Sequence, residues 1–196
     1  MRTGRLEAFS DGVLAILITI MVLELKVPEE PTFEALRPSL VGLLTYLLSF
    51  VYIGIYWNNH HHMFQLVRYV SGAILWANLA LLFMLSLVPF TTAWMDDTRF
   101  APLPVGVYGA NLLLAAISYY VLQLAIFRRE GRESLLRQAL GRDLKGKLSP
   151  VVYVLGILGT FISPWLGVAA YVAVAITWLV PDRRAERFVH EHALED

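Results

Sequence analysis

Residues 5–28 read Arg5-Leu6-Glu7-Ala8-Phe9-Ser10-Asp11-Gly12-Val13-Leu14-Ala15-Ile16-Leu17-Ile18-Thr19-Ile20-Met21-Val22-Leu23-Glu24-Leu25-Lys26-Val27-Pro28. From Gly12 to Leu23 no residue is charged, and with the apolar positions reaching back through Phe9 the stretch approaches the roughly 20 residues that cross a hydrocarbon core. An ionisable group at that depth is costly and takes a partner or a water path. Asp11 therefore demands an explanation.

The rest of the chain agrees with a membrane setting. Of its 196 residues 57% are hydrophobic and 16% charged, and the mean hydropathy is +0.58. Soluble domains carry about 25% charge, so a water-soluble enzyme and a disordered tail are both excluded. With no cysteine, disulfide scaffolds, thiolate zinc sites and thiol catalysis are excluded together. Sixteen basic residues balance sixteen acidic ones, which leaves no general basic surface for nucleic acid.

Further charge-free stretches run over Leu40–Tyr56, Val70–Trp94, Leu103–Phe127 and Leu148–Val180. The last, 33 residues long, would overshoot a core of about 30 Å as one helix. It carries Ser163-Pro164 near its middle. Proline lacks an amide proton and the residue before it avoids helical dihedrals, so two short helices joined by a tight turn are expected. The spacing predicts an all-α membrane protein, a single six-helix domain over residues 1–196. Its approximate spans are 5–26, 38–62, 70–94, 103–127, 148–163 and 165–181, with a basic cytoplasmic loop at 128–147. Six spans take roughly 120 residues and leave no room for a soluble catalytic domain.

Orientation follows the lysines and arginines, which cytoplasmic loops retain. With the N-terminus inside, Arg2, Arg5, Arg68, Arg128, Arg129, Arg132, Arg137, Arg142, Lys145, Lys147, Arg183, Arg184 and Arg187 fall inside, and Lys26, Arg37 and Arg99 outside. Both termini are expected in the cytoplasm. A cleaved signal peptide is disfavoured, because Glu24-Leu25-Lys26-Val27-Pro28 lacks a small-residue cleavage site. In the basic loop, Leu135, Leu136, Ala139, Leu140 and Leu144 fit a helical stripe that either lies along the inner leaflet or belongs to a solvated connector. The tail after Pro181 reads as a short polar end.

At about 100° per residue, Ile16, Thr19, Ile20 and Leu23 share one arc of the first helix with Gly12, and Asp11 lies about 80° beyond its edge. The acid and the apolar stripe thus face different neighbours. The second span ends in Trp57-Asn58-Asn59-His60-His61-His62-Met63-Phe64, at the depth of Arg5, Ser10 and Asp11. A carboxylate, a hydroxyl, an amide and imidazoles there are expected to form a network holding helix one against helix two. Adjacent histidines diverge by about 100°, so the triplet alone makes a poor metal site, and a proton relay is the other minor reading. Asn78, Asn111, Ser118 and Gln123 read as interhelical hydrogen-bonding groups, worth about 1 kcal/mol each. Gly106 and Gly109 read as positions of close helix packing.

The run Arg5-x-x-x-Phe9-Ser10-Asp11-Gly12-Val13 with Ile16, Thr19 and Leu23-Glu24-Leu25-Lys26-Val27-Pro28 closely resembles the opening helix of the transmembrane protein 175 family, potassium-permeable channels of endosomes and lysosomes with prokaryotic relatives. Trp57-Asn58-Asn59-His60-His61, Asn78 and Pro89-Phe90-Thr91-Thr92 resemble the same family, and the whole chain matches one six-span repeat. The resemblance implies a single-repeat prokaryotic member in the plasma membrane, a homotetramer with the first helix of each subunit lining a central pore. By position, Ile16 would form the hydrophobic constriction, Ile20 and Leu23 the pore-facing positions above it, and Thr19 a hydroxyl ring for selectivity. Arg5, Phe9, Ser10 and Asp11 would brace the pore helix, with Asn59, His60 and His61 opposite them.

No Thr-Val-Gly-Tyr-Gly loop and no regular arginine repeat occurs, so neither a carbonyl filter nor a voltage sensor is expected. Four Ile16 side chains would form an apolar neck gated by widening and wetting, with potassium as the permeant ion and no cofactor or resident metal. Glu24 at the outer mouth either raises local cation concentration or pairs with Lys26 or Arg37. The competing readings are a proton-coupled transporter using Asp11 with His60 or His61, for which no inverted repeat or broken helix pair is visible, and a histidine-metal membrane hydrolase, for which matched ligands are lacking.

Overall fold

The computed structural model describes residues 3–67, 69–131, 134–140 and 144–179. Arg2, Arg68, Arg132, Arg142 and the tail with Arg183, Arg184, Arg187, Glu191, Glu195 and Asp196 lie outside the described residues. The elements are α1 (Gly4–Leu23), α2 (Phe33–Gln65), α3 (Gly72–Ser86), α4 (Val88–Asp97), α5 (Pro102–Glu130), α6 (Leu135–Leu140), α7 (Leu144–Thr160) and α8 (Pro164–Leu179).

Local chemistry sets the ends. Thr32 caps α2 by accepting from the Ala35 amide at 3.2 Å, and Ser71 caps α3 through Ile74. Pro102 opens α5, where its missing N–H costs nothing, and Gly131 ends it at φ 73°, a backbone region that favours glycine. Arg128 and Arg129 sit in the last turn of α5, facing the negative end of the helix dipole. The chain turns through Phe161–Ser163 and re-enters a helix at Pro164.

Among the described residues four helical stretches are long and apolar enough to cross a membrane: α1, α2, residues 72–97 and α5. At 1.5 Å per residue, α7 and α8, with 17 and 16 residues, reach about 25 Å. They form a hairpin shorter than the four full-length stretches. Helix α5 is the hub, packing on α3, α4, α7 and α8, while α1 packs on α2, α3 and α4.

Three boundaries differ from the sequence expectation. Helix α2 starts at Phe33 rather than near residue 38, because the Thr32 cap lets it run beyond the apolar stretch. The basic segment is not one loop over 128–147. Leu136 is buried in the six-residue α6, whereas Leu144 is 65% exposed and already belongs to α7 with Lys145 and Lys147; residues 141–143 between them lie outside the described residues.

The third difference is a break. The stretch expected as a single span over 70–94 divides at Leu87 into α3 and α4. Pro89 has no amide proton for the fourth preceding carbonyl and its ring crowds that carbonyl. Here Leu87 N–H turns to Met84 O at 3.3 Å, and the Thr91 and Thr92 hydroxyls donate to Val88 O at 3.2 and 2.6 Å. Asn111 of α5 closes the gap. With its amide turned to match its surroundings, it donates to Met84 O at 2.9 Å and accepts from Val88 N at 3.2 Å.

Candidate functional site

Helix α1 has two unlike faces. Leu6, Ser10, Leu14, Leu17 and Met21 recur at intervals of three and four residues and are buried against the subunit. About 135° around the helix, at 100° per residue, lie Gly12, Ile16, Thr19, Ile20 and Leu23. All are exposed in the subunit, Ile16 at 58% and Leu23 at 81%. Glycine at position 12 has open space around it. An apolar ladder with one hydroxyl is therefore presented away from the subunit's own core.

Thr19 Oγ1 donates to Ile16 O at 2.9 Å. Its hydrogen is thereby committed to the helix, and the oxygen lone pairs remain free to accept on the exposed face.

What fixes α1 in this rotation is a relay at its N-terminal half. His60 Nε2 on α2 meets Asn78 Oδ1 on α3 at 2.8 Å, Asn78 Nδ2 donates to Ser10 Oγ at 3.0 Å, and Ser10 Oγ donates to Leu6 O at 2.9 Å. Because Asn78 Oδ1 only accepts, His60 must carry its proton on Nε2. All three side chains are buried, at 1%, 2% and 0% exposure, and the Phe64 ring stands against His60 at 4.6 Å.

Asp11 stands outside this relay. It is exposed and accepts from the Trp57 indole at 3.0 Å. Trp57 stacks on His61, whose Nε2 meets the Gln65 amide at 2.9 Å. Asp11 and Ser10, neighbours in sequence, thus tie α1 to its surroundings through separate contacts. Asn59 donates to Ile55 O on its own helix and receives the Tyr119 hydroxyl on its carbonyl at 3.2 Å, linking α2 to α5 rather than to α1. Arg5 and Phe9 are exposed and add no hydrogen bond or ring contact among the described residues.

The expected single network is thus two, one buried and one exposed. Trp57 was not assigned as the partner of Asp11 in sequence. Its signal was its place four residues before His61 on the same helical face.

At the other end, Glu24 is exposed and its backbone caps α1. Lys26 bonds Asp97 at 2.6 Å rather than Glu24, because the loop after α1 runs past the end of α4. That contact raises the Lys26 pKa above 10.5. Gly109 is packed where a side chain could not go, with the Tyr171 ring in the space a Cβ would fill, and Gly106 faces Thr160. Asn78 and Asn111 bridge helices. Among the described residues no three His, Cys, Asp or Glu side chains are grouped to hold a metal ion.

An all-helical membrane protein with this braced, outward-facing first helix is matched by known proteins. The family described as endosomal/lysosomal potassium channel TMEM175 matches residues 5–89. A potassium channel of Chryseobacterium sp. (strain P1-3) is 52% identical over 192 residues, covering 98% of this chain and 100% of that one. A potassium channel of Chamaesiphon minutus is 35% identical, covering 89% and 92%. The crystal structure of a lysosomal potassium-selective channel TMEM175 homolog from Chamaesiphon minutus superposes with a TM-score of 0.73 at 35% identity, over 90% of this chain and 96% of that one. The chain belongs to the TMEM175 family, whose members are channels and not enzymes.

Proposed function

We propose that this protein is a potassium-permeable channel of a prokaryotic plasma membrane, assembled as a homotetramer with α1 of each subunit lining the axis. The observation that carries the reading is the stripe: Ile16, Thr19, Ile20 and Leu23 stand exposed on a helix whose opposite face is locked by the Ser10–Asn78–His60 relay. A single subunit leaves that stripe uncovered. Four copies around an axis would give it a common water-filled path. The relatives' names, potassium channel, and the crystal homologue's description as potassium-selective support the ion.

In this assembly Ile16 forms an apolar neck that empties of water when narrow and conducts when widened. Thr19, with its hydrogen engaged by Ile16 O, offers only oxygen lone pairs to the axis, the polarity a partly dehydrated cation needs. Ile20 and Leu23 continue the wall, and Glu24 at the outer mouth concentrates cations. Six crossings, with α7 and α8 as the short last pair, and cytoplasmic termini accord with the lysine and arginine distribution. Ser10 and Asp11, with His60 behind Asn78 and His61 behind Trp57, belong to the support of the pore helix, whereas Asn59 ties α2 to α5 and Arg5 and Phe9 stand exposed beside it. A transporter built on Asp11 with His60 or His61 has little to stand on, since His60 is engaged by Asn78 and Asp11 by Trp57. The helix break at Leu87 is filled by Asn111.

The chain has no native cysteine, so Ile16→Cys introduces a unique thiol. In planar-bilayer recordings under potassium/sodium bi-ionic conditions, Ile16→Cys should become blockable by a thiol reagent and Ile16→Asn should raise conductance. Unchanged current and ion preference in both variants would overturn the pore assignment, and a monomeric mass in native mass spectrometry would overturn the assembly.

A further inference from the structure

Between α2, α5, α7 and α8 lies a cavity of about 50 Å³ that no residue of α1 lines. Among the described residues its wall holds no Asp, Glu, Lys, Arg or His, and it is largely aromatic, with Tyr56, Tyr120 and Trp178 among its rings. Several of its polar groups are already satisfied: Trp178 Nε1 donates to Ser149 Oγ at 2.8 Å, Ser149 donates to Lys145 O at 2.8 Å, and Tyr153 donates to Tyr52 at 3.3 Å.

Two buried groups are not. Gln123 is 4% exposed and Tyr56 is 8% exposed, and neither the Gln123 carboxamide nor the Tyr56 hydroxyl has a hydrogen-bond partner among the described residues. Among the described residues no fully enclosed side-chain nitrogen or oxygen is left unpaired, so each of these two polar groups keeps a little accessible surface, and both residues line the cavity. Interior polar groups are nearly always paired. Two unpaired ones on one neutral cavity mark a site that something polar and uncharged completes.

We propose that this cavity binds the hydroxyl head of an uncharged amphiphile dissolved in the bilayer. The carboxamide of Gln123 donates to and accepts from such a hydroxyl, and the Tyr56 hydroxyl supplies a second bond. A charged head is disfavoured, because none of the described lining residues carries a counter-charge and burying a lone ion is prohibitive. The partly open volume of about 50 Å³, room for about four waters at roughly 10–15 Å³ each, admits a head of a few heavy atoms but not a whole lipid. Tyr120 lines the cavity and is half exposed, and with α5 crossing the bilayer this open side would give the hydrocarbon tail a way out. The site is separate from the candidate pore helix, so its failure leaves the pore reading standing.

The test uses the full-length channel in liposomes and an octanol carrying a diazirine on its alkyl chain, with the labelled residues mapped by mass spectrometry. Saturable labelling of α5 or α7 is expected, competed by 1-octanol but not by n-octane. Gln123→Leu, which keeps the shape and removes the amide, should require roughly 3–10-fold more octanol for the same competition, the equivalent of one hydrogen bond. Ala116→Leu should fill the cavity and abolish the signal, and retained potassium flux reports that each variant is folded. Competition by 1-monooleoylglycerol would assign the site to a lipid head, and its failure where octanol succeeds would assign it to a free alcohol. If n-octane competes equally, or if labelling is the same in both variants, the cavity is a packing space for water and the proposal is overturned.

Discussion

Asn78 of α3 donates to Ser10 of α1 at 3.0 Å, and through this bond the rotation of the first helix is set from the subunit interior. His60 supplies the other end at 2.8 Å. The hydroxyl of Ser10 both accepts from Asn78 and donates to Leu6 O, so the line from imidazole to backbone runs unbroken, each link a donor meeting an acceptor.

Replacing Asn78 by Ala should therefore leave His60 and Ser10 both short of a partner in a buried site. Each stranded group costs about 1–3 kcal/mol. Asn78→Ala should lower the thermal midpoint of the detergent-solubilised protein more than Ser10→Ala, which strands one Asn78 proton. An equal or smaller loss in Asn78→Ala would show that the relay does not hold α1.

The Asp11–Trp57 bond is exposed, so its loss should matter less to the isolated subunit. Trp57→Phe keeps the ring stack on His61 and deletes the indole proton. A destabilisation of about 0.5–1.5 kcal/mol is expected, and in a double-mutant cycle with Asp11→Asn the two changes should be non-additive. Simple additivity would mean that the contact carries no coupling.

Two glycines should respond oppositely. At Gly109 the Tyr171 ring occupies the place of a side chain, so Gly109→Ala should cost about 1–3 kcal/mol by overpacking. At Gly12 the subunit leaves open space, and Gly12→Ala should not destabilise the fold. Any effect of Gly12→Ala on current would then arise on the exposed face of α1. Thermal melts of the two variants side by side provide the measurement.

Thr19→Val removes the oxygen while keeping the shape of the side chain. Single-channel recordings should show potassium-to-sodium discrimination falling while current persists. Unaltered reversal potentials would remove Thr19 from selectivity.

The Lys26–Asp97 pair should be insensitive to pH over the neutral range. Asp97 raises the folded-state pKa of Lys26 above 10.5. For a raised pKa the stabilisation is complete below the unfolded value and disappears only as pH climbs through the folded one, in the strongly alkaline range. Because the lysine is fully solvated, the difference between wild type and Asp97→Asn should be small and should shrink with added salt. A difference that varies between mildly acidic and mildly basic buffer would contradict the pairing.

Charge spacing, apolar length and the Arg5-x-x-x-Phe9-Ser10-Asp11 run were enough to determine an all-helical membrane protein, its family and the residues sharing each face of α1. The helical membrane class and the shared faces follow from local periodicity and from the cost of charge in hydrocarbon, both of which act along the chain; the family followed only from the resemblance of the Arg5–Val13 run. Tertiary structure decided who meets whom. It paired Asp11 with Trp57 rather than with a histidine, and His60 with Asn78. It turned Lys26 to Asp97 and brought Asn111 into the gap that Pro89 opens in the third stretch. Such choices depend on contacts between residues 18 to 71 positions apart. Helix rotation and depth fix those contacts only when the helices pack together, and no local pattern encodes them.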